Sequence, residues 1–156
     1  MDRGKCCLRR AGWGDLDLLY LWANDPVLRK NAFHCEPIAY EDHVRWFREV
    51  MENSNIAQMV MLVGKKPVGQ IRFNMAGQEA EIGYSIASEY RGFGYGKKLL
   101  KLGIQYAKDE LKIEKLVAKV KKDNIISAKC FLGNKFREAY IQYEYELDGD
   151  FPDSEI

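Results

Sequence analysis

Residues 79–111 constrain the chain more than any other stretch. Glu79–Ile86 alternates in period two, with Ala80, Ile82, Tyr84 and Ile86 on one face and Glu79, Glu81, Gly83 and Ser85 on the other. A glycine-rich loop follows, Arg91-Gly92-Phe93-Gly94-Tyr95-Gly96. It opens a helix-patterned run to about Leu111, with Leu100, Ile104, Ala107 and Leu111 as its stripe. A strand that feeds a helix through glycines aims backbone N–H groups and the positive end of the helix dipole at one point, which suits an anion. Helix first turns favour acidic residues, yet this one carries Arg91, Lys97 and Lys98 and no acid. Cations there oppose the dipole unless something anionic is bound, so the loop is expected to hold phosphate. A GxxxxGK[ST] loop would need glycine at position 91 and a hydroxyl residue at 98, and a GxGxxG fingerprint would need glycine at 97. The loop satisfies R-x-x-G-x-G instead, through Arg91, Gly94 and Gly96. A glycine-rich turn without a ligand is the plain alternative. It leaves the basic first turn unexplained.

The rest of the chain reads as alternating short elements. Cys6–Arg10 is strand-like. Residues 15–25 have helical spacing in Leu16, Leu19 and Trp22, with Asp15 placed to cap them and Asp25-Pro26 to end them. Tyr40–Glu52 is a second helix, Val44, Phe47, Val50 and Met51 facing inward behind a weak cap at Ala39. Strands are expected at Ile56–Val63, 68–73, Glu79–Ile86, 115–120 and 140–147, and a further helix at 124–132. The order predicts one α/β domain over residues 1–147: a mixed, mostly antiparallel sheet of six to seven strands with about four helices. Residues 148–156 form an acidic tail.

Composition narrows the function classes. The 156 residues carry 24 Lys+Arg against 23 Asp+Glu, a net charge of +1, which supplies no electrostatic footprint for a nucleic-acid partner. No apolar run approaches the ~20 residues of a membrane span, and no signal-like N-terminal segment is evident. A cytoplasmic protein is expected, with Cys6, Cys7, Cys35 and Cys130 as free thiols, since none forms a CxxC pair. His34 and His43 are the only histidines, so neither a metal site nor a His-dependent triad is well supplied.

With loop and element order in view, the chain resembles the GNAT superfamily of N-acetyltransferases. The carrying residues are the R-x-x-G-x-G loop after the fourth strand, the N-x-x-[SA] helix start at Asn124 and Ser127, and Phe136 in a turn beyond it. The resemblance spans residues 6–147. It implies acetyl-CoA as cosubstrate and no metal. The pyrophosphate would rest on Arg91, Gly92, Phe93, Gly94, Tyr95, Gly96 and Lys97, and the thioester on the backbone around Ser85 and Ile86. Asn124, Ser127 and Phe131 would flank the cosubstrate, and the fifth strand would diverge to admit the pantetheine arm. The N-terminal half, with His43-x-x-Trp46-Phe47 and Gly69-x-Ile71-Arg72, is most similar to the branch acetylating nucleotide-linked amino sugars, beside ribosomal-protein N-terminal acetyltransferases.

The chemistry so implied is direct attack of a neutral amine on the thioester, which needs an N–H for the oxyanion, a base for the ammonium and a proton for the departing thiolate. Several relatives use a Glu on the fifth strand and a Tyr twelve residues on. Here those positions are Lys119 and Phe131, so neither role transfers. Glu81 is the substitute base and His43 a second candidate. The hydroxyls of Tyr84, Tyr95 and Tyr140, or solvent, are left as proton sources. Trp22 and Trp46 are candidates to wall the acceptor pocket and Arg29 and Arg72 to bind an acceptor phosphate, with surface ion pairing the alternative for both and the favoured one for Arg29. The leading expectation is acetyl transfer to a small-molecule amine on a nucleotide-linked amino sugar. A ribosomal-protein-type N-terminal acetyltransferase and a non-catalytic acyl-CoA-binding module are the alternatives. A homodimer is compatible with any of these.

Overall fold

A computed structural model of the chain describes residues 4–147; the acidic tail expected at 148–156 lies outside them. The elements are β1 (Cys6–Arg10), α1 (Leu16–Ala23), α2 (Pro26–Asn31), α3 (Tyr40–Glu52), β2 (Ile56–Val63), β3 (Lys66–Ala76), β4 (Glu79–Ile86), α4 (Tyr95–Asp109), β5 (Lys115–Val117) and α5 (Ile125–Gly133). One sheet runs in the order β1-β2-β3-β4-β5. Its first four strands are antiparallel neighbours, and β5 joins β4 in parallel after the α4 crossover.

β2 is buried along most of its length because both of its faces are covered. Met59 and Met61 join Ile71, Phe73, Leu99, Leu100 and Phe131 under α4 and α5. Val60, on the opposite face, packs with Leu19, Trp22 and Phe47 under α1 and α3. Such double burial explains why the strand reads as a continuous apolar run and not as an alternation. α4 sits close to the sheet at Gly103, where an added Cβ would fall 2.5 Å from the Ile71 Cδ1.

Several expectations are corrected. The sheet has five strands and the described residues hold five α-helices, against six to seven and about four. Residues 140–147 lie in no strand, and Tyr140, Ile141 and Tyr143 are exposed. β5 stops at Val117, three residues short of its expected end. The unforeseen helix is α2. Asp25 does not simply end α1; its carboxylate accepts from the Val27 and Leu28 N–H groups at 3.0 and 3.1 Å and caps α2, with Pro26 in the first turn. Asp15 makes no side-chain cap to α1. It accepts from Arg9 at 2.7 and 2.8 Å and from the Gly12 N–H at 2.8 Å, and the Arg9 hydrogen bonds hold its carboxyl below the usual range.

Candidate active site

The loop between β4 and α4 passes through a short 3₁₀ turn, Ser88–Tyr90, and then through Gly92 at φ +84° and Gly94 at φ +81°. Both angles lie in the left-handed region, where a side chain is strained. Gly94 is the N-cap of α4, and no side chain caps the fifteen-residue helix or places an acid in its first turn. The first-turn amides therefore face the loop with a full helix dipole behind them, as phosphate requires. Arg91 braces the loop from within: its Nε donates to the Ile86 carbonyl at 3.1 Å and its Nη2 to Asp25 Oδ1 at 2.9 Å. Lys97 and Lys98 remain exposed at the helix start, as does Phe93. Gly96 has no positive φ, and a Cβ there would meet the Cys130 Sγ at 3.4 Å, an ordinary contact. Position 96 thus accepts a methyl group, whereas at Gly94 the space is open and the positive φ is the obstacle.

The parallel pairing of β4 with β5 ends at Glu81 and Val117, so the edge of β4 from Gly83 to Ile86 has no β5 partner. A cavity of about 470 Å³ opens along that divergence. On the α5 face it reaches Tyr84, Asn124, Ser127 and Phe131, and on the α1/α3 face Trp46, Arg72, Glu81 and Ser85. Asn124 Oδ1 accepts from the Ser127 N–H at 3.3 Å and caps α5, which fixes the helix start at the cavity rim.

On the α1/α3 face the Glu81 carboxylate lies 3.6 Å from the Lys119 ammonium, both groups partly exposed. The Arg72 guanidinium lies 5.3 Å from the Trp46 ring centroid and forms no ion pair among the described residues. Burial lowers its pKa, and the Glu81 charge works the other way. His43 is buried at 2% exposure, and its Nε2 donates to the Leu16 carbonyl at 2.9 Å. That bond fixes the ring proton on Nε2 and leaves the lone pair on Nδ1, within a buried ring that Tyr20, Trp46 and Phe47 surround. Trp22 is core-like at 9% exposure yet contributes to the cavity wall. Arg29 forms no ion pair among the described residues. It lines the cavity, donates through Nη1 to the His34 carbonyl at 3.0 Å, and keeps a buried Nε without a partner among those residues.

Sequence reasoning passed over a buried amide chain on the same face. Gln58 Nε2 donates to Gln70 Oε1 at 2.8 Å, and Gln70 Nε2 donates to Ser85 Oγ at 3.1 Å. Gln58 Oε1 is buried beside the cavity without a partner among the described residues. The available signal was one amide inside the otherwise apolar run of β2, since a buried polar side chain needs partners.

Residues 5–137 match the family model described as "Acetyltransferase (GNAT) domain". The chain belongs to that family. Acetyl-CoA is the cosubstrate of this GNAT acetyltransferase, and the chemistry is N-acetyl transfer. "Acetyltransferase PseH" of Campylobacter jejuni is 26% identical over 138 residues, covering 88% of this chain and 82% of that protein. Two solved structures share the fold. The spermidine N-acetyltransferase of Vibrio cholerae in complex with CoA and spermine superposes with a TM-score of 0.81 at 19% identity, over 92% of this chain and 88% of that one. PseH of Campylobacter jejuni in complex with acetyl coenzyme A gives 0.70 at 20% identity, over 88% and 92%. Within this GNAT domain the left-handed glycines, the uncapped α4 N-terminus and the open edge of β4 fit a pyrophosphate with a pantetheine arm behind it. Lys119 is ion-paired to Glu81, and Phe131 packs edge-on against Tyr84 with ring centroids 5.5 Å apart.

Proposed function

We propose that this GNAT acetyltransferase acetylates the primary amine of an anionic small molecule, a nucleotide-linked amino sugar. The observation that carries the reading is Arg72: a guanidinium with no ion-pair partner among the described residues, laid against Trp46 inside the cavity. A planar cation on an aromatic face is built to take a phosphate bidentately while the indole offers a stacking surface. Arg29 and Lys119 share the cavity with it, and Glu81 is the one carboxylate among its lining residues. A polyamine would call for the opposite balance. The N-terminal resemblance to the amino-sugar branch and the relative named PseH agree with this choice.

In this reading the backbone of residues 91–97 takes the pyrophosphate, and the unpaired edge of β4 at Ser85 and Ile86 lies along the thioester. Glu81 receives the ammonium proton directly or through water, and the neutral amine forms the new C–N bond. Lys119, beside Glu81, holds the carboxylate in place. Trp22 and Trp46 wall the acceptor. His43 serves here as a packing residue that fixes α3 against α1, not as the base.

A competition assay tests the acceptor: a UDP-4-amino-4,6-dideoxy sugar, spermidine and an N-terminal peptide share one acetyl-CoA pool. The sugar should take most of the label. Preference for spermidine or the peptide would replace this acceptor while leaving the acetyltransferase family untouched. Glu81→Gln should lower kcat by about a hundredfold, the scale of general-base catalysis, and change the pH profile. An unchanged profile would remove Glu81 from the mechanism.

A further inference from the structure

We infer that the paired hydroxyls of Tyr84 and Ser127 deliver the proton to the departing CoA sulfur. The inference rests on acetyl-CoA as cosubstrate and not on the identity of the acceptor.

The placement of the two faces comes first. A cosubstrate held by its pyrophosphate at the α4 N-terminus enters the cavity from the α4/α5 side, because α4 and α5 pack together on one face of the sheet. The cations and the carboxylate that suit the acceptor lie on the other face. The leaving sulfur therefore departs toward the α5 side, where the cavity is lined by Tyr84, Asn124, Ser127 and Phe131. Phe131 has no proton to give. Asn124 uses its side-chain oxygen as the cap of α5, and an amide is no acid.

The hydroxyls elsewhere are unsuited. Tyr95 is 9% exposed, lies outside the cavity lining, and packs against Tyr90 and Phe93. Tyr140 is 74% exposed and outside it too. Ser85 points to the acceptor face and accepts from Gln70. Tyr84 and Ser127 remain, with their oxygens 3.2 Å apart. When Ser127 donates to Tyr84, the phenolic proton is shared between the Cys130 sulfur, its hydrogen-bond partner, and an acceptor in the cavity.

Burial pushes the Tyr84 phenol above its ordinary range; the Ser127 hydrogen bond works against that and the Cys130 thiol adds to it. The donor is thus protonated throughout the neutral range, and a lasting phenolate there would be costly. The hand-over balances without one. The C–S bond breaks with its electron pair on sulfur, the Tyr84 O–H proton moves to sulfur, and the Ser127 proton moves to Tyr84. Ser127, half-buried at the rim, recovers a proton from solvent equal to the one the amine released.

The test needs no acceptor. The thiol of CoA bound to the protein is titrated by thiolate absorbance, with the desulfo-CoA complex subtracted to remove tyrosine ionisation. A hydrogen bond from Tyr84 to the sulfur favours the thiolate, so Tyr84→Phe should raise the bound thiol's pKa by about one unit, a tenfold loss of thiolate at a given pH. Phe131→Tyr added to Tyr84→Phe should restore most of the shift by placing a hydroxyl on the adjacent ring. An unchanged titration in Tyr84→Phe, with CoA still bound, overturns the inference. A shift that the second hydroxyl does not reverse also overturns it, since the effect then belongs to ring packing. Should Tyr84→Phe fail to fold, Ser127→Ala carries the test: it should move the thiol pKa upward, and no movement overturns the inference.

Discussion

An added methyl group at position 69 would lie 2.6 Å from the Ser85 carbonyl oxygen, and that oxygen belongs to the backbone of the neighbouring strand. No rotamer change relieves the contact. Gly69→Ala should therefore destabilise the domain by about 1–3 kcal/mol, the cost of overpacking, visible as a lowered Tm. It should also disturb Ser85, where the thioester is expected to lie. At Gly103 the nearest atom is the flexible end of Ile71, so Gly103→Ala should cost less. The loop glycines divide the same way. Gly94→Ala places a side chain at φ +81° and should weaken acetyl-CoA binding by about tenfold in calorimetry, because a left-handed residue costs about 1–2 kcal/mol. Gly96→Ala, with its Cβ in ordinary contact, should bind nearly as the parent does, while Gly96→Glu should bind far more weakly by adding a like charge at the phosphate site. The R-x-x-G-x-G spacing located these residues, but only backbone angles separate the glycine that must be one from the glycine that need only be small.

At the scale of elements, Asp25 joins two parts of the molecule that the sequence presents as unrelated. One carboxylate oxygen caps α2 through Val27 and Leu28 and receives Arg91 from the glycine-rich loop. Burial alone would raise its pKa; Arg91 and the two backbone N–H groups outweigh that and hold it below the ordinary carboxyl range. Asp15 is lowered as well, chiefly by its hydrogen bonds from Arg9. A depressed carboxyl stabilises the fold fully above its unfolded pKa of about 3.9, and the contribution drains away as pH falls through the lower folded value. Asp25→Asn should flatten the fall of Tm below about pH 4 and leave the profile between pH 6 and 8 unchanged in shape. It should also raise the KM for acetyl-CoA several-fold, because Arg91 loses its brace. Asp25-Pro26 was legible as a helix stop, since proline rarely continues a helix. That the same dipeptide also starts one depends on the chain turning back within two residues, which composition does not reveal. Tyr40–Glu52 was legible to the residue because its apolar stripe is long, but its buried His43 was not. A histidine bonded across to Leu16 looks, in sequence, like any polar residue on a helix.

For the whole molecule, the shortfall in strands begins at β5. Alternation in residues 140–147 describes a ribbon that suits a sheet, but a strand also needs a neighbour of matching length, and the edge strand β5 is only three residues long. In the proposed reading the divergence of β5 from β4 admits the cosubstrate, and a count of strands from periodicity does not register how short β5 is. Charge follows a related logic. The chain is nearly neutral at +1, yet the cavity gathers Arg29, Arg72 and Lys119 around the single carboxylate of Glu81. Attraction of an anionic acceptor into this cavity should weaken as salt screens it, the Debye length falling from about 10 Å at 0.1 M to about 3 Å at 1 M. The KM for a UDP-linked amino sugar should rise several-fold over that range, while the KM of a primary amine that carries no phosphate should show no such rise. Arg72→Gln should raise the sugar's KM by at least about tenfold, the scale of one lost charge-assisted hydrogen bond, and abolish most of the salt dependence. Arg72→Lys should keep the salt dependence and lose most of the affinity, because an ammonium neither forks onto a phosphate nor stacks on Trp46 as a guanidinium does. Equal KM values in parent, Gln and Lys proteins would show that the acceptor's charge is read somewhere other than Arg72.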